Sequence, residues 1–180
     1  MSSLLKISLL VFASLPLLLG CETTNSQRYT PSIKHVAFLS QQKGKVTYSL
    51  GTFGQDESID EDTLCRLHGS VDVTNGKETY SEYIQSALMQ ELFMSGLYNK
   101  NSPRKIKVFL DSVEFSSISP ANWVIEGRFQ VSEYPVKKIK AVHRFDSSWT
   151  AWGACKNVAN AFPSAVEKFI GKIISDETFK

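Results

Sequence analysis

The sequence predicts an α+β two-layer sandwich, with a mostly antiparallel sheet of about four to five strands covered by two amphipathic helices. Three observations predict it. Residues 123–131 alternate apolar and polar side chains, placing Trp123, Ile125, Gly127, Phe129 and Val131 on one face of a half-buried strand. Residues 80–92 and 158–174 carry apolar side chains at three- and four-residue spacing, so each forms a helix with one apolar face. A sheet and two helices that are each apolar on one side bury those surfaces together in two layers.

Taken in order, the first twenty of the 180 residues hold a single charged side chain, Lys6. Ile7 to Leu19 is a thirteen-residue apolar run broken only by Ser8, Ser14 and Pro16. A bilayer crossing needs about 20 apolar residues, so this run fits the apolar stretch of a secretory signal, residues 1–20. Removing it leaves 160 residues, enough for a single domain that buries about 70% of its unfolded surface. Residues 22–32, ETTNSQRYTPS, carry no apolar period and read as a flexible tether after Cys21. Coil of that length spans about 17–20 Å. The folded domain is expected over residues 33–180.

Within it, His35 to Leu39 is a short apolar run consistent with a strand, and Lys45 to Phe53 has strand character. Gly51, Gly54 and the acidic stretch Asp56 to Asp62 end that pattern. Cys65 to Val73 is ambiguous, open to a further extended segment closed by a turn at Asn75-Gly76. Thr79-x-x-Glu82 is a capping box, the clearest helix start in the chain. Tyr80, Ile84, Ala87, Leu88 and Leu92 then trace one face, and Gly96 is placed as the C-terminal cap. Ile106, Val108 and Leu110 alternate with Lys105, Lys107 and Phe109, whereas Val113 and Phe115 fall on the opposite parity, so a bulge is expected near Asp111-Ser112. With the strand at 123–131 and another carrying Ile139, Ala141 and Phe145, short connections favour an antiparallel meander. The last helix is expected from about Ala154 to Ser175, kinked at Pro163.

Composition narrows the function. With 42% hydrophobic residues, 21% charged and a net charge of +2, the chain is neither disordered nor collagen-like, and no nucleic-acid partner is expected. His35, His68 and His143 lie in separate segments without metal-ligand spacing, and H-E-x-x-H is absent. No G-x-S-x-G turn is present. An EF-hand reading of the loop from Asp56 fails at Glu61, where glycine is needed, and at Leu67, where glutamate is needed. No catalytic residue, metal or cofactor is assigned.

Two surfaces stand out as candidate binding sites. In a meander the first and third strands start at the same end, which would bring Arg104, Lys105 and Lys107 toward Lys137, Lys138 and Lys140. Six cations there would attract anions or an acidic partner; lysines that keep a sheet edge soluble are the plainer reading. Trp149 and Trp152 share a short strand-to-helix connection, as partner contacts if exposed or as packing over the sheet end.

The segment Leu18-Leu19-Gly20-Cys21 resembles the lipobox of bacterial lipoproteins. That resemblance implies cleavage between Gly20 and Cys21, with diacylglycerol and a further acyl chain such as palmitate on Cys21. Glu22, where aspartate would signal inner-membrane retention, implies an outer-membrane anchor on the periplasmic face. With the tether and the order of elements over residues 33–175, the chain resembles small α+β lipoproteins of Gram-negative envelopes, of the YajG, LptE and PqiC types. In an oxidising compartment Cys65 and Cys155 remain as an even pair. They are read as a disulfide closing 90 residues, or else as two buried thiols. The function expected is a non-catalytic accessory or binding component of an envelope assembly, partnered by the membrane through Cys21 and by an envelope protein or lipopolysaccharide. The alternatives are an envelope hydrolase whose residues meet only in space, and a module binding lipid or a small molecule.

Overall fold

The structure, a computed structural model, describes residues 24–25, 28–60, 63–66, 69–74 and 78–179. In chain order these form β1 (Thr24–Asn25), α1 (Ile33–Ser40), β2 (Ser49–Gln55), β3 (Thr63–Cys65), β4 (Gly69–Asp72), α2 (Tyr80–Met94), β5 (Lys105–Ser116), β6 (Asn122–Val131), β7 (Lys137–Arg144) and α3 (Ala151–Ile174), followed by a 3-10 turn at Glu177–Phe179. The expected α+β sandwich is the observed one. Its main sheet has the order β2-β5-β6-β7. β5, β6 and β7 are the expected antiparallel meander, and β2 joins β5 in parallel. A parallel neighbour needs a crossover, and here the crossover contains α2. A smaller sheet of order β1-β4-β3 packs against α3.

α2 lies over β2 and β5, while α3 lies over β6 and β7. The alternation of β6 is complete: Trp123, Ile125, Phe129 and Val131 are buried against the helices. Trp123 is the centre of an aromatic cluster with Phe115, Tyr80 and Phe162, its ring centroid 5.0 Å from Phe162. Its indole N–H donates to the Val158 carbonyl at 2.9 Å, so the one polar atom of this buried ring is satisfied.

Local signals account for α2. Thr79 Oγ1 accepts from the Glu82 amide at 3.1 Å, and the Glu82 carboxylate accepts from the Thr79 amide at 2.8 Å. At the other end Gly96, at φ +74°, donates to the Phe93 carbonyl, and Leu97 N–H returns to the Leu92 carbonyl at 2.8 Å. These two bonds close the helix in the glycine-dependent manner expected. The bulge also lies where parity put it, between Leu110 and Ser112. α3 runs through Pro163 as one element, starting at Ala151 rather than Ala154.

The structure corrects the reading in three places. His35 to Leu39 is not a strand but most of α1. A five-residue apolar run cannot separate the two periods, and the deciding contacts are distant: the Ser32 amide donates to Glu91 Oε1 at 2.9 Å, and His35 Nδ1 lies 3.3 Å from the same oxygen. Cys65 to Val73 resolves into parts of two strands, since β3 and β4 pair antiparallel. The tether is not free over its described part. Thr24 and Asn25 pair with Val71 and Asp72, and Tyr29 is buried with its hydroxyl on Glu91. Cys21, His68 and the Asn75-Gly76 turn lie outside the described residues.

Candidate functional site

Strand alternation sends every second side chain of the main sheet away from the helices. Where β5, β6 and β7 run side by side, that outer face carries Lys105, Lys107, Phe109, Asp111, Glu126, Arg128, Gln130, Lys138 and Lys140. No described element covers it. Arg128 is held in the middle by two contacts, its guanidinium 2.8 Å from Asp111 and 4.7 Å from the centre of the Phe109 ring. Lys140 pairs with Glu126 at 2.6 Å. Among the described residues Lys105, Lys107 and Lys138 have no anionic partner. The sheet register puts the Cα atoms of Lys107 and Lys138 roughly 12 Å apart, two strands across and two residues along. Between β2 and β6 the same face sinks into a depression of about 380 Å³ lined by Thr52, Lys107, Phe109, Arg128, Gln130 and Val136.

The six expected cations therefore do not converge as one group. Lys137 stands opposite Phe129 on the helix side of the sheet. There its ammonium meets Glu177 at 2.9 Å and Asp176 at 3.1 Å, hydrogen bonds that hold it above the ordinary lysine value. It ties the C-terminal turn to β7. Arg104 precedes β5 and also has an interaction of its own. At the start of the acidic stretch Asp56 accepts from the Ser58 hydroxyl at 2.6 Å and the Ser58 amide at 3.0 Å, which lowers its pKa.

A second concavity, a groove of about 580 Å³, runs between α1, α3 and β7. His35, His143, Ser164, Glu167 and Lys168 line it. Burial, then the nearby Lys168 charge, pushes the His143 imidazole below its ordinary pKa, and its Nδ1 is buried without a hydrogen-bond partner among the described residues. A hydroxyl, an imidazole and a carboxylate thus share one groove. Among the described residues Ser164 donates to neither of the others, so the nucleophile–base contact of a hydrolase is not formed.

No family model matches the chain, and no curated protein matches it. A solved structure does. The crystal structure of protein XCC0632 from Xanthomonas campestris, described by the family model DUF330, superposes with a TM-score of 0.51 at 11% identity, covering 85% of this chain and 92% of that one. At that identity the likeness is one of fold.

At the end of the sheet where β5 passes into β6, three loops are pinned by one side chain. Arg66, in a left-handed conformation at φ +50°, donates to the Ser117 carbonyl at 2.7 Å and the Ser148 carbonyl at 3.0 Å. Beside it Cys65 and Cys155 are bonded, as the even pair suggested, with their Cα atoms 5.8 Å apart. Trp149 does not pack over the sheet end; it is fully exposed, and Trp152 is exposed beneath the Lys156 ammonium, 4.9 Å from the ring centre. Ile118 and Leu64 are also exposed, 68% and 65%. Sequence reading missed Leu64, Ile118 and Arg66 at this end and Phe109 on the open face. The parity of Phe109 with Lys105 and Lys107 was the available signal for the last.

Proposed function

We propose that the protein is a lipid-anchored, non-catalytic binding component of a cell-envelope assembly, held at the periplasmic face of the outer membrane through acylated Cys21. Its working surface is the open face of the main sheet, and its partner there is an acidic protein surface. One observation carries this reading: three lysines without anionic partners among the described residues flank a half-exposed phenylalanine on a sheet face that no described element covers. A second copy of the chain is a poor occupant, because the two faces would bring like charges together. The paired anions Asp111 and Glu126 make the face mixed in charge, which suits a protein surface better than a polyphosphate.

The test is a photoreactive residue at position 109 of the acylated protein in intact cells. It should capture one envelope protein reproducibly. Reversing Lys105, Lys107 and Lys138 to glutamate should cut that capture at least tenfold while the protein stays in the outer-membrane fraction. Undiminished capture after reversal would reject the acidic partner.

The groove with His143, Ser164 and Glu167 supports a second reading, an envelope hydrolase. A fluorophosphonate probe that labelled the wild-type protein but not Ser164→Ala would favour it over the first.

A further inference from the structure

We infer that the end of the domain bearing Trp149 and Ile118 on loops, Trp152 on the first turn of α3 and Leu64 on β3 rests in the lipid surface, so that the protein meets the bilayer at two places, its acyl anchor and this tip. The inference rests on the acylated Cys21 of the proposed function and adds to it.

Chain direction argues for it. β1 runs parallel to β4, with Thr24 beside Val71 and Asn25 beside Asp72. β4 begins at Gly69, which pairs with Cys65 at the closed end of the β3–β4 hairpin. The direction from Asn25 back to Thr24 is therefore the direction toward Cys65, Arg66 and the loops that Arg66 holds. Thr24 is level with a residue only two positions from Gly69, about 7 Å along a strand. Cys21 precedes Thr24 by three residues, and three residues span at most about 11 Å. With Thr24 docked in a sheet, the leash that could lift the domain off the headgroups is that short stretch alone. The anchor must lie near this end of the molecule.

The side chains at the same end suit a lipid surface. Exposed Ile118 on the β5–β6 loop and Leu64 on β3 lose water contact when they enter the acyl boundary. Tryptophan prefers the interface, where its ring is apolar and its N–H still reaches polar groups. Arg66 holds the backbone next to Ile118 and Trp149, which lowers the cost of ordering these two loops at contact. Lys156 over Trp152 adds a cation that anionic headgroups attract. The open sheet face rises from this end and stays accessible from the side.

The experiment uses the acylated protein in vesicles of phosphatidylethanolamine and phosphatidylglycerol, with plain or brominated acyl chains. The chain has three tryptophans, and Trp123 is buried and serves as the unquenched reference. Brominated lipid should quench at least a third of the emission. Trp149→Phe should remove most of the quenchable part, and Trp149→Phe with Trp152→Phe should abolish it. An acylated protein that floats with the vesicles and emits equally in both lipids overturns the tip contact. The mass of the mature N-terminus reads the anchor separately. Quenching of a protein whose mass lacks acyl chains upholds the tip and removes the anchor, whereas no quenching with acyl mass present does the reverse.

Discussion

Tyr29 and Glu91, 62 residues apart, meet inside the protein: the Tyr29 hydroxyl donates to Glu91 Oε1 at 2.5 Å. The same oxygen accepts from the Ser32 amide, so one carboxyl group on α2 fastens the segment that leads into α1. Glu91 is fully buried, and its Oε2 has no partner among the described residues. Because the Ser32 amide still serves that oxygen, losing the tyrosine donor costs about 0.5–1.5 kcal/mol, the net worth of one hydrogen bond. Tyr29→Phe is expected to lower stability by that amount, and urea unfolding would measure it. A variant as stable as the wild type would show that the clasp contributes nothing.

The same tyrosine predicts an alkaline limit. Burial, then the hydrogen bond to Glu91, raises the Tyr29 pKa, and burial raises Tyr83 to about 12. An unfolded tyrosine ionises near pH 10. Below about pH 10 both states keep these protons and neither residue makes stability depend on pH. Above it the unfolded chain releases protons that the folded one retains, so stability falls as pH rises from about 10 toward 12 and beyond. The thermal midpoint should drop across that window, and replacing both residues with phenylalanine should flatten the drop relative to each variant's midpoint at pH 8.

His143 predicts the opposite slope in mild acid. Its pKa is lowered, first by burial and then by Lys168, with Glu167 acting weakly the other way. An unfolded histidine binds its proton near pH 6.5, so the unfolded state holds more protons just below that pH and stability falls as pH falls. In an NMR titration the His143 ring should show a midpoint below 6.5. Lys168→Ala should raise that midpoint part of the way, because burial remains, and Glu167→Gln should lower it further. A midpoint unmoved by either variant would exclude those two charges as influences.

How much of this was legible in the sequence follows the distance over which each feature is decided. α2 was legible at both ends because its capping box and the bonds around Gly96 join residues within six positions of one another. β5 to β7 were legible because alternation survives in every strand of the meander. α1 was not, since the contacts that make it a helix run to Glu91, 59 residues from Ser32. The basic cluster erred for a different reason. It grouped lysines by the end of the strand and not by the face, although Lys137 shares the parity of Ile139 and Ala141 while Lys138 and Lys140 do not. The cysteine pair was legible from its even number and the oxidising compartment that the lipobox resemblance implies, without any knowledge of geometry.

That pair carries a measurable prediction. A bridge across 90 residues restricts the unfolded chain by about 4–5 kcal/mol in the chain-entropy model. Here it also ties the β3–β4 hairpin to the second turn of α3. Changing both Cys65 and Cys155 to serine should lower stability by up to that amount, and reductant should then have no further effect. Hydrogen exchange should quicken first in residues 63–65 and 69–72, the two strands that the bridge fastens to α3. Uniform quickening across α3 and β6 would instead place the bridge's effect in the whole fold.

Gly127 tests how closely the sheet is packed at its bulge. It sits mid-strand in β6 opposite Leu110, where β5 shifts register. A Cβ at this position would lie 2.7 Å from the Phe109 carbonyl oxygen, 3.3 Å from Leu110 Cα and 3.4 Å from the Phe169 ring. Two of those neighbours are backbone atoms of a paired strand and cannot rotate aside. Gly127→Ala should therefore destabilise the protein, although alanine has the better intrinsic propensity for ordered structure. Overpacking of this kind costs about 1–3 kcal/mol, read as a lower urea midpoint. Phe109→Ala leaves the Phe109 carbonyl in place and should not rescue it. Phe169→Leu withdraws the ring but not the backbone, so it should rescue little. A variant as stable as the wild type would mean that β5 can yield at the bulge, and the open face above it would then be less rigid than its register implies.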